Sequence, residues 1–92
     1  MSRISKTELR RMGTKIRSSI HIGKGGISEN IIEEIKCQLK KNKIVKIRIL
    51  ETAGLERMTT AKELADRTGS ELVEVRGNTI LLCEASLFEQ TE

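Results

Sequence analysis

A short glycine-rich segment around a single lysine is the part of this sequence best suited to chemistry. Gly23, Gly25 and Gly26 surround Lys24, and Ser28 follows two residues later. Glycines let a backbone turn sharply and approach a ligand closely, and the lysine adds a mobile cation. A helix starting near Ser28 would direct free amides and a partial positive charge at the loop. These features favour a bound phosphate; the alternative is a plain strand-to-helix turn that needs glycine only for its backbone angles.

The amino-acid sequence of this glycine loop (residues 23–26) excludes two nucleotide-binding motifs. A P-loop ends in lysine followed by serine or threonine, whereas Lys24 lies inside the loop and Ile27 follows the last glycine. A dinucleotide fingerprint needs a third glycine where position 28 is serine. KH domains clamp nucleotides with a GXXG loop, but between two helices, and here Glu29 replaces the usual aliphatic residue. The loop chemistry matches KH and the flanking architecture does not.

The other reactive side chains form no catalytic or metal-binding pattern. His21 has no acid and thiol nearby that would suggest a metal site or a nucleophile. The simplest interpretation of Glu33 and Glu34 is that they are solvated charges on a helix. Cys37 and Cys83 could form one disulfide, but two free, partly buried thiols are expected in a reducing cytoplasm. We therefore predict no enzymatic activity, no cofactor, no metal and no small-molecule substrate.

Charge is divided unevenly along the chain. Residues 1–48 hold 13 of the 17 lysines and arginines but 4 of the 13 acids, so this half carries +9 and residues 49–92 carry −5. A basic half attracts polyanions, which favours a nucleic-acid partner over a merely solvated basic surface. A protein-interaction adaptor, docking a basic partner through the acidic C-terminal half, remains the alternative.

The elements that position the loop follow from the pattern of apolar residues. A capping box at residues 5–8 predicts a helix to Met12 with Gly13 as its stop. Alternation over residues 16–22 predicts a strand. Ser28 then caps a helix whose apolar residues run from Ile31 to Leu39, ending at residues 40–43.

The second half of the chain predicts one more helix and three strands. Alternation gives a strand over residues 44–50, and residues 51–58 form a loop. A capping box at residues 60–63 opens a helix that stops at Gly69. Strands around residues 72–75 and 80–83 form a hairpin about the Gly77-Asn78 turn. The order α-β-α-β-α-β-β predicts a compact single α/β domain with a mixed four-stranded sheet and packed helices.

Strand parity extends the candidate site beyond the loop. Arg17, His21, Lys46 and Arg48 should share a polar sheet face near the first helix. The alternative is a set of solvated charges that the first helix partly covers. The candidate RNA-binding residues are Gly23, Lys24, Gly25, Gly26, Arg10, Arg11, Lys15, Arg17, Lys46 and Arg48.

The aromatic content narrows the class of nucleic acid that the chain is expected to bind. Phe88 is the only aromatic residue, whereas proteins that bind single strands commonly stack bases on several aromatic side chains. Phosphate and shape contacts to folded RNA therefore fit better. No stretch is long and apolar enough to span a membrane, and no secretory signal is recognised, so a cytoplasmic protein is expected.

Taken together, three segments resemble a known family, the CRM domain (chloroplast RNA splicing and ribosome maturation), in particular its stand-alone YhbY-type members. They are Ile22–Ser28 with the following helix, Asn42–Arg48, and Asp66–Gly69 with the closing hairpin. The resemblance spans residues 4–84 and leaves 85–92 as a short tail. The last strand of the hairpin ends in Cys83-Glu84-Ala85, where the family is expected to have an aromatic-containing, more basic tail.

The resemblance carries expectations of its own. It implies a fold related to the C-terminal domain of translation initiation factor 3 and an RNA-contacting GxxG loop at residues 23–26. It also implies structured RNA as the partner, specifically precursors of the large ribosomal subunit, as for bacterial stand-alone members. The identity of the RNA and the assembly step are not specified by the sequence.

Overall fold

A computed structural model describes residues 4–86 of the chain. This range contains three α-helices and four β-strands, with a short 3₁₀ helix, Glu51–Ala53, before the third α-helix. The elements are α1 (Lys6–Gly13), β1 (Ile20–Ile22), α2 (Glu29–Asn42), β2 (Ile44–Ile49), α3 (Arg57–Thr68), β3 (Ser70–Arg76) and β4 (Thr79–Glu84). The predicted α-β-α-β-α-β-β order is confirmed.

The four strands form one mixed sheet in the order β1-β2-β4-β3. β1 and β2 are parallel, as a connection through a helix allows, and β4 is antiparallel to both β2 and β3. The predicted hairpin is present, and Gly77 adopts φ +57° in its turn. The mixed four-stranded sheet is therefore confirmed.

The main core lies between the sheet and helices α2 and α3. Ile22, Ile47 and Ile80 come from three neighbouring strands, and Ile35 of α2 and Leu64 of α3 pack on them. All five side chains are fully buried. The alternating pattern of β2 therefore directs its odd-numbered apolar residues into this core, as parity predicts.

Helix α1 covers the opposite face of the sheet. Its Leu9 is fully buried in a second cluster with Ile44, Val73, Leu81 and Cys83. The domain consequently has three layers, with one helix on one face of the sheet and two on the other.

Gly13 was expected to stop the first helix and instead belongs to it. α1 includes Gly13, and its C-cap is Thr14 in right-handed conformation at φ −70°. A Cβ on Gly13 would lie 2.5 Å from Cδ2 of Leu81. A side chain here would require Leu81 to shift, because α1 packs closely against β4.

Two further element boundaries differ from the prediction. The first strand begins at Ile20 rather than Ile16, because the Ile16 amide donates to the Gly13 carbonyl in a turn that follows α1. The capping box expected at residues 60–63 is wrong: the N-cap lies four residues before Thr60, and Thr60 is buried inside α3. The N-cap is Glu56.

Glu56 caps α3 with its carboxylate instead of a hydroxyl. The backbone amides of Thr59 and Met58 donate to it at 2.8 and 3.1 Å, and the Thr59 hydroxyl donates at 2.7 Å. These hydrogen bonds, the one from the Thr59 side chain first, lower the pKa of Glu56 below its ordinary value.

A β-bulge at Val73 changes which residues of β3 face each side. Leu72 pairs with Leu82 and Glu74 with Leu81, so Val73 is the extra residue between them. Leu72 and Val75 consequently pack towards the main core, while Val73 joins the cluster beneath α1.

The two cysteines are free and differ in environment. Cys83 is fully buried rather than partly buried, and burial raises its pKa to about 11, with Glu71 and Glu84 adding to the effect. Cys37 is exposed on α2, not partly buried as predicted. No helix between residues 4 and 86 is long and apolar enough to cross a membrane.

Candidate nucleic-acid interface

The glycine loop forms a tight turn between β1 and α2. The Gly26 amide donates to the Gly23 carbonyl oxygen at 2.9 Å, so Lys24 and Gly25 occupy the two central positions of the turn. Lys24 and Gly25 are both exposed. The turn thus places one cation beside an open stretch of backbone.

The requirement for glycine differs among the three glycine positions of the loop. Gly26 has φ +69°, a conformation that favours glycine. A Cβ on Gly23 would make an ordinary contact, 3.6 Å from Cδ1 of Leu50. Gly25 has no positive φ, and a Cβ there would meet nothing within 4 Å. Neither strain nor internal packing requires glycine at position 25, and its backbone is open to a group approaching from outside.

The start of α2 follows the loop directly. Ser28 is the N-cap, as predicted, and its Oγ accepts a hydrogen bond from the Ile31 amide at 3.3 Å. The positive end of the helix dipole therefore lies beside the loop. Glu29 in the first turn offsets part of this charge, and Arg67 of α3 holds it in an ion pair at 3.0 Å. Lys24 remains the cation that the loop itself contributes.

Strand register brings three connections to the same end of the sheet. Ile22 pairs with Ile49, and the Ile49 amide donates to the carbonyl of Asn78 in the hairpin turn at 2.7 Å. The Leu50 amide donates to the Ile22 carbonyl at 2.8 Å. We call this the loop end of the sheet, since the glycine loop, the connection after β2 and the hairpin turn all meet there.

A row of polar side chains crosses the sheet at its loop end, on the α1 side. His21 pairs with Arg48, Arg48 with Thr79, and Thr79 with Arg76. Directly paired residues project from the same face, so the four side chains form one polar row across all four strands. His21 and Arg48 lie side by side as parity predicts, and both are exposed.

Arg76 was missing from the residues selected by sequence. In an unbroken strand Arg76 would share a face with Leu72, towards the core, but the bulge at Val73 shifts the parity of the residues after it. The hairpin is the sequence signal that indicates the position of Arg76, because a two-residue turn at 77–78 places Arg76 opposite Thr79.

Lys46 does not share the open polar face that it was expected to occupy. Its Nζ donates to the carbonyl oxygens of Gly13 and Ile16, at 3.0 and 3.2 Å, and the side chain is partly buried. α1 covers this part of the sheet, so Lys46 binds the end of that helix. Arg48, two residues later, lies beyond the helix.

The remaining predicted cations are spread over the molecule. Arg10 forms an ion pair with Glu74 of β3 at 3.2 Å, and Arg11 pairs with Glu8 of its own helix at 3.7 Å. Lys15 is exposed in the connection between α1 and β1. Arg17 lines a surface recess with Asn42 and Ile44, at the end of the sheet opposite the glycine loop.

Two predicted cations at the loop end have no internal partner, and the exposed Lys15 and Arg17 elsewhere in the described residues have none either. Among residues 4–86, the side chains of Lys24 and Arg48 make no ion pair or hydrogen bond within the chain. The same range contains no group of three potential metal ligands. The arrangement can therefore attract and hold a phosphate-bearing polymer by charge and backbone contacts.

Two known proteins resemble this chain in sequence or fold. The chain is 30% identical over 81 residues to "Probable RNA-binding protein YqeI" of Bacillus subtilis (strain 168), covering 88% of this chain and 84% of that protein. The fold matches the solution structure of the hypothetical protein SAV1595 from Staphylococcus aureus, a candidate RNA-binding protein, with a TM-score of 0.69 and 31% identity. That match covers 95% of this chain and 86% of the other.

The family comparison covers nearly the whole chain. The sequence model of the CRS1 / YhbY (CRM) domain matches residues 1–83, which include every helix and all but the last residue of β4. The resemblance noted from the glycine loop, the basic strand and the closing hairpin is confirmed. This chain belongs to the CRS1 / YhbY (CRM) domain family.

Proposed function

We propose that this protein binds structured RNA, with the glycine loop and Arg48 contacting the sugar–phosphate backbone. The observation that carries the proposal is Gly25: it lies at the tip of the turn, next to exposed Lys24, and neither its φ nor its packing calls for glycine. An open backbone beside a cation suits a phosphate. Membership in the CRM family and the RNA-binding names of the two relatives support RNA as the polymer.

The RNA is proposed to be folded, and the contacts to be made with its backbone. No phenylalanine, tyrosine or tryptophan is found between residues 4 and 86; Phe88 lies outside the described residues. A platform of several such rings for stacking loose bases is thus not available within this range, whereas duplex RNA is recognised by shape and by backbone contacts. The protein acts as a binding module without catalysis or cofactor.

We propose that the bound RNA is precursor RNA of the large ribosomal subunit, in the cytoplasm, as the resemblance to the stand-alone members of the family implies. RNA crosslinking in cells followed by sequencing of the bound fragments tests this directly. Fragments should map to large-subunit precursor RNA and be lost with Lys24→Gln. A distribution dominated by messenger or transfer RNA would overturn the ribosomal assignment and leave RNA binding intact.

Binding by the loop is tested with Gly25→Ala and a labelled RNA hairpin in fluorescence anisotropy. Because the new methyl group meets no atom within 4 Å, the thermal midpoint should stay within a few degrees of the unmodified protein. Affinity should nevertheless fall about three- to tenfold, since the methyl group separates backbone and phosphate. Unchanged affinity at unchanged stability would remove the loop from the interface.

Lys24→Gln provides a second test of binding by the loop. Its matched control is Lys62→Gln, at an exposed position on α3. Loss of one phosphate contact should shallow the slope of log K against log salt by about one, and the control should keep the full slope. Salt-insensitive binding by the unmodified protein would contradict the whole proposal.

The adaptor alternative is less well supported by the acidic residues. Among the described acids of the C-terminal half, Glu63, Glu74 and Glu84 form ion pairs within the chain, and Glu56 caps α3. These carboxylates already have partners. Protein partners that stay bound after RNase treatment would restore this alternative.

A further inference from the structure

We infer that bound RNA runs from the glycine loop along the polar row to Arg76 at the far edge of the sheet, and does not run over α1. The inference rests on the proposed function and adds its direction, its length and a residue that the sequence did not single out. The polar row comprises His21, Arg48, Thr79 and Arg76, as defined by the strand pairing.

The row is continuous and long enough to contact several nucleotides. Its four residues come from four adjacent strands, and neighbouring strands lie about 4.8 Å apart, so the row spans roughly 14 Å. The glycine loop follows β1 directly and adds Lys24 at the end nearest His21. Cations consequently stand at Arg48 and Arg76 in the row, and Lys24 lies in the loop that follows its first strand.

The row is accessible because α1 ends before reaching it. The preceding row, Lys46, Leu81 and Glu74, lies beneath α1 or is paired with it. Gly13, the last residue of α1, packs on Leu81. A cavity of about 90 Å³ between the end of the helix and the row is lined by residues of both, including Thr14, Arg76 and Thr79.

Arg76 keeps most of its hydrogen-bonding capacity. Its Nε lies 3.5 Å from the Glu74 carboxylate, and its side chain is 74% exposed. A guanidinium has five N–H donors in a fixed fork, so a contact at Nε orients the group and leaves its outer nitrogens for a phosphate.

Two cations on the α1 side are held more closely than Arg76. The Arg10 Nε lies 3.2 Å from Glu74 and its side chain is 48% exposed, and Lys46 donates to two backbone carbonyls. Arg48 in the row and Lys24 in the glycine loop have no partner within the described part of the chain, and the exposed Lys6 and Lys15 on the α1 side have none either. The direction of the path therefore rests on the continuity of the row across the four strands.

Arg76→Gln tests the inference, with Arg11→Gln as a closely matched control. Both arginines are largely exposed, at 74% and 66%, and each has one acidic partner. With a labelled RNA hairpin, Arg76→Gln should weaken binding about three- to tenfold and shallow the salt slope by about one. Arg11→Gln should bind as the unmodified protein does.

Lys24→Gln, measured in parallel, separates this inference from the proposed function. If Lys24→Gln weakens binding while Arg76→Gln does not, or if Arg11→Gln weakens it as much as Arg76→Gln, the path along the row is wrong and loop binding stands. If the unmodified protein shows no salt-dependent RNA binding, the proposed function itself fails. Circular dichroism melting of each variant confirms that the fold is retained.

Discussion

The ammonium group of Lys46 lies 3.0 Å from the carbonyl oxygen of Gly13, and this contact joins the sheet to the end of α1. A second carbonyl, that of Ile16, accepts from the same group. Carbonyl groups at a helix C-terminus lack partners within the helix, and a strand lysine supplies one here. Lys46 and Arg48 differ by two positions, yet one anchors a helix and the other faces solvent.

Lys46→Met should therefore affect folding more than binding. Losing hydrogen bonds from a charged donor to two carbonyls should lower the free energy of unfolding by about 1–2 kcal/mol. RNA affinity of the folded protein should stay within about twofold of the unmodified value, unlike that of Arg48→Gln. Urea unfolding monitored by circular dichroism and anisotropy with an RNA hairpin measure the two effects. A large loss of affinity without loss of stability would place Lys46 in the interface instead.

Glu74→Gln should strengthen RNA binding. Glu74 lies between Arg10 and Arg76, and its removal releases both guanidinium groups, so we expect about a two- to fivefold gain at low salt that disappears at high salt. The gain should vanish in combination with Arg76→Gln and persist with Arg10→Gln. The opposite pattern would assign the gain to α1.

The two thiols should react at very different rates. Only thiolates are reactive, and the pKa of about 11 leaves buried Cys83 protonated at pH 8. Ellman's reagent should titrate one thiol per native chain at that pH and two in denaturant, and Cys37→Ser should abolish the native reaction. Equal rates for both thiols would show that β4 opens readily.

Glu56 should make the stability of α3 depend on pH. Its folded pKa lies below the ordinary value of 4.5 because the ionised carboxylate accepts hydrogen bonds. The stabilisation is therefore present above that ordinary value and is lost as pH falls through the lowered pKa.

Glu56→Gln resembles the protonated state and serves as the reference variant. Urea unfolding should find it less stable than the unmodified protein at pH 7, with the difference shrinking towards zero in acid. Glu33→Gln, an exposed change on α2, controls for overall charge. A difference that is independent of pH would show that the charge of Glu56 does not stabilise the cap.

Local patterns predicted the elements well wherever one physical rule decided the outcome. Alternation in β2 gave the correct inward face, and Ser28 was recognised as the cap of α2. Gly13 shows the limit: from sequence it suggested a helix stop, whereas its reason is contact with Leu81, which is 68 positions away along the chain. Tertiary packing of this kind leaves no local signal.

The candidate site was predictable to a similar degree. The glycine loop and the His21–Arg48 neighbours follow from local spacing and parity. Arg76 was not predicted because the extra residue at Val73 reverses which face of the sheet the later residues of β3 occupy. Lys46 was misplaced because alternation gives the face of a strand but does not reveal which helix covers it.

The bulge at Val73 also bears on how the protein avoids aggregation. β3 is an edge strand of seven residues, and a straight edge of that length would offer its unpaired amides and carbonyls to another chain. The bulge interrupts and twists this edge, and the opposite edge, β1, has three residues. Neither edge offers a long, regular template, so intermolecular strand pairing is disfavoured at both sides of the sheet.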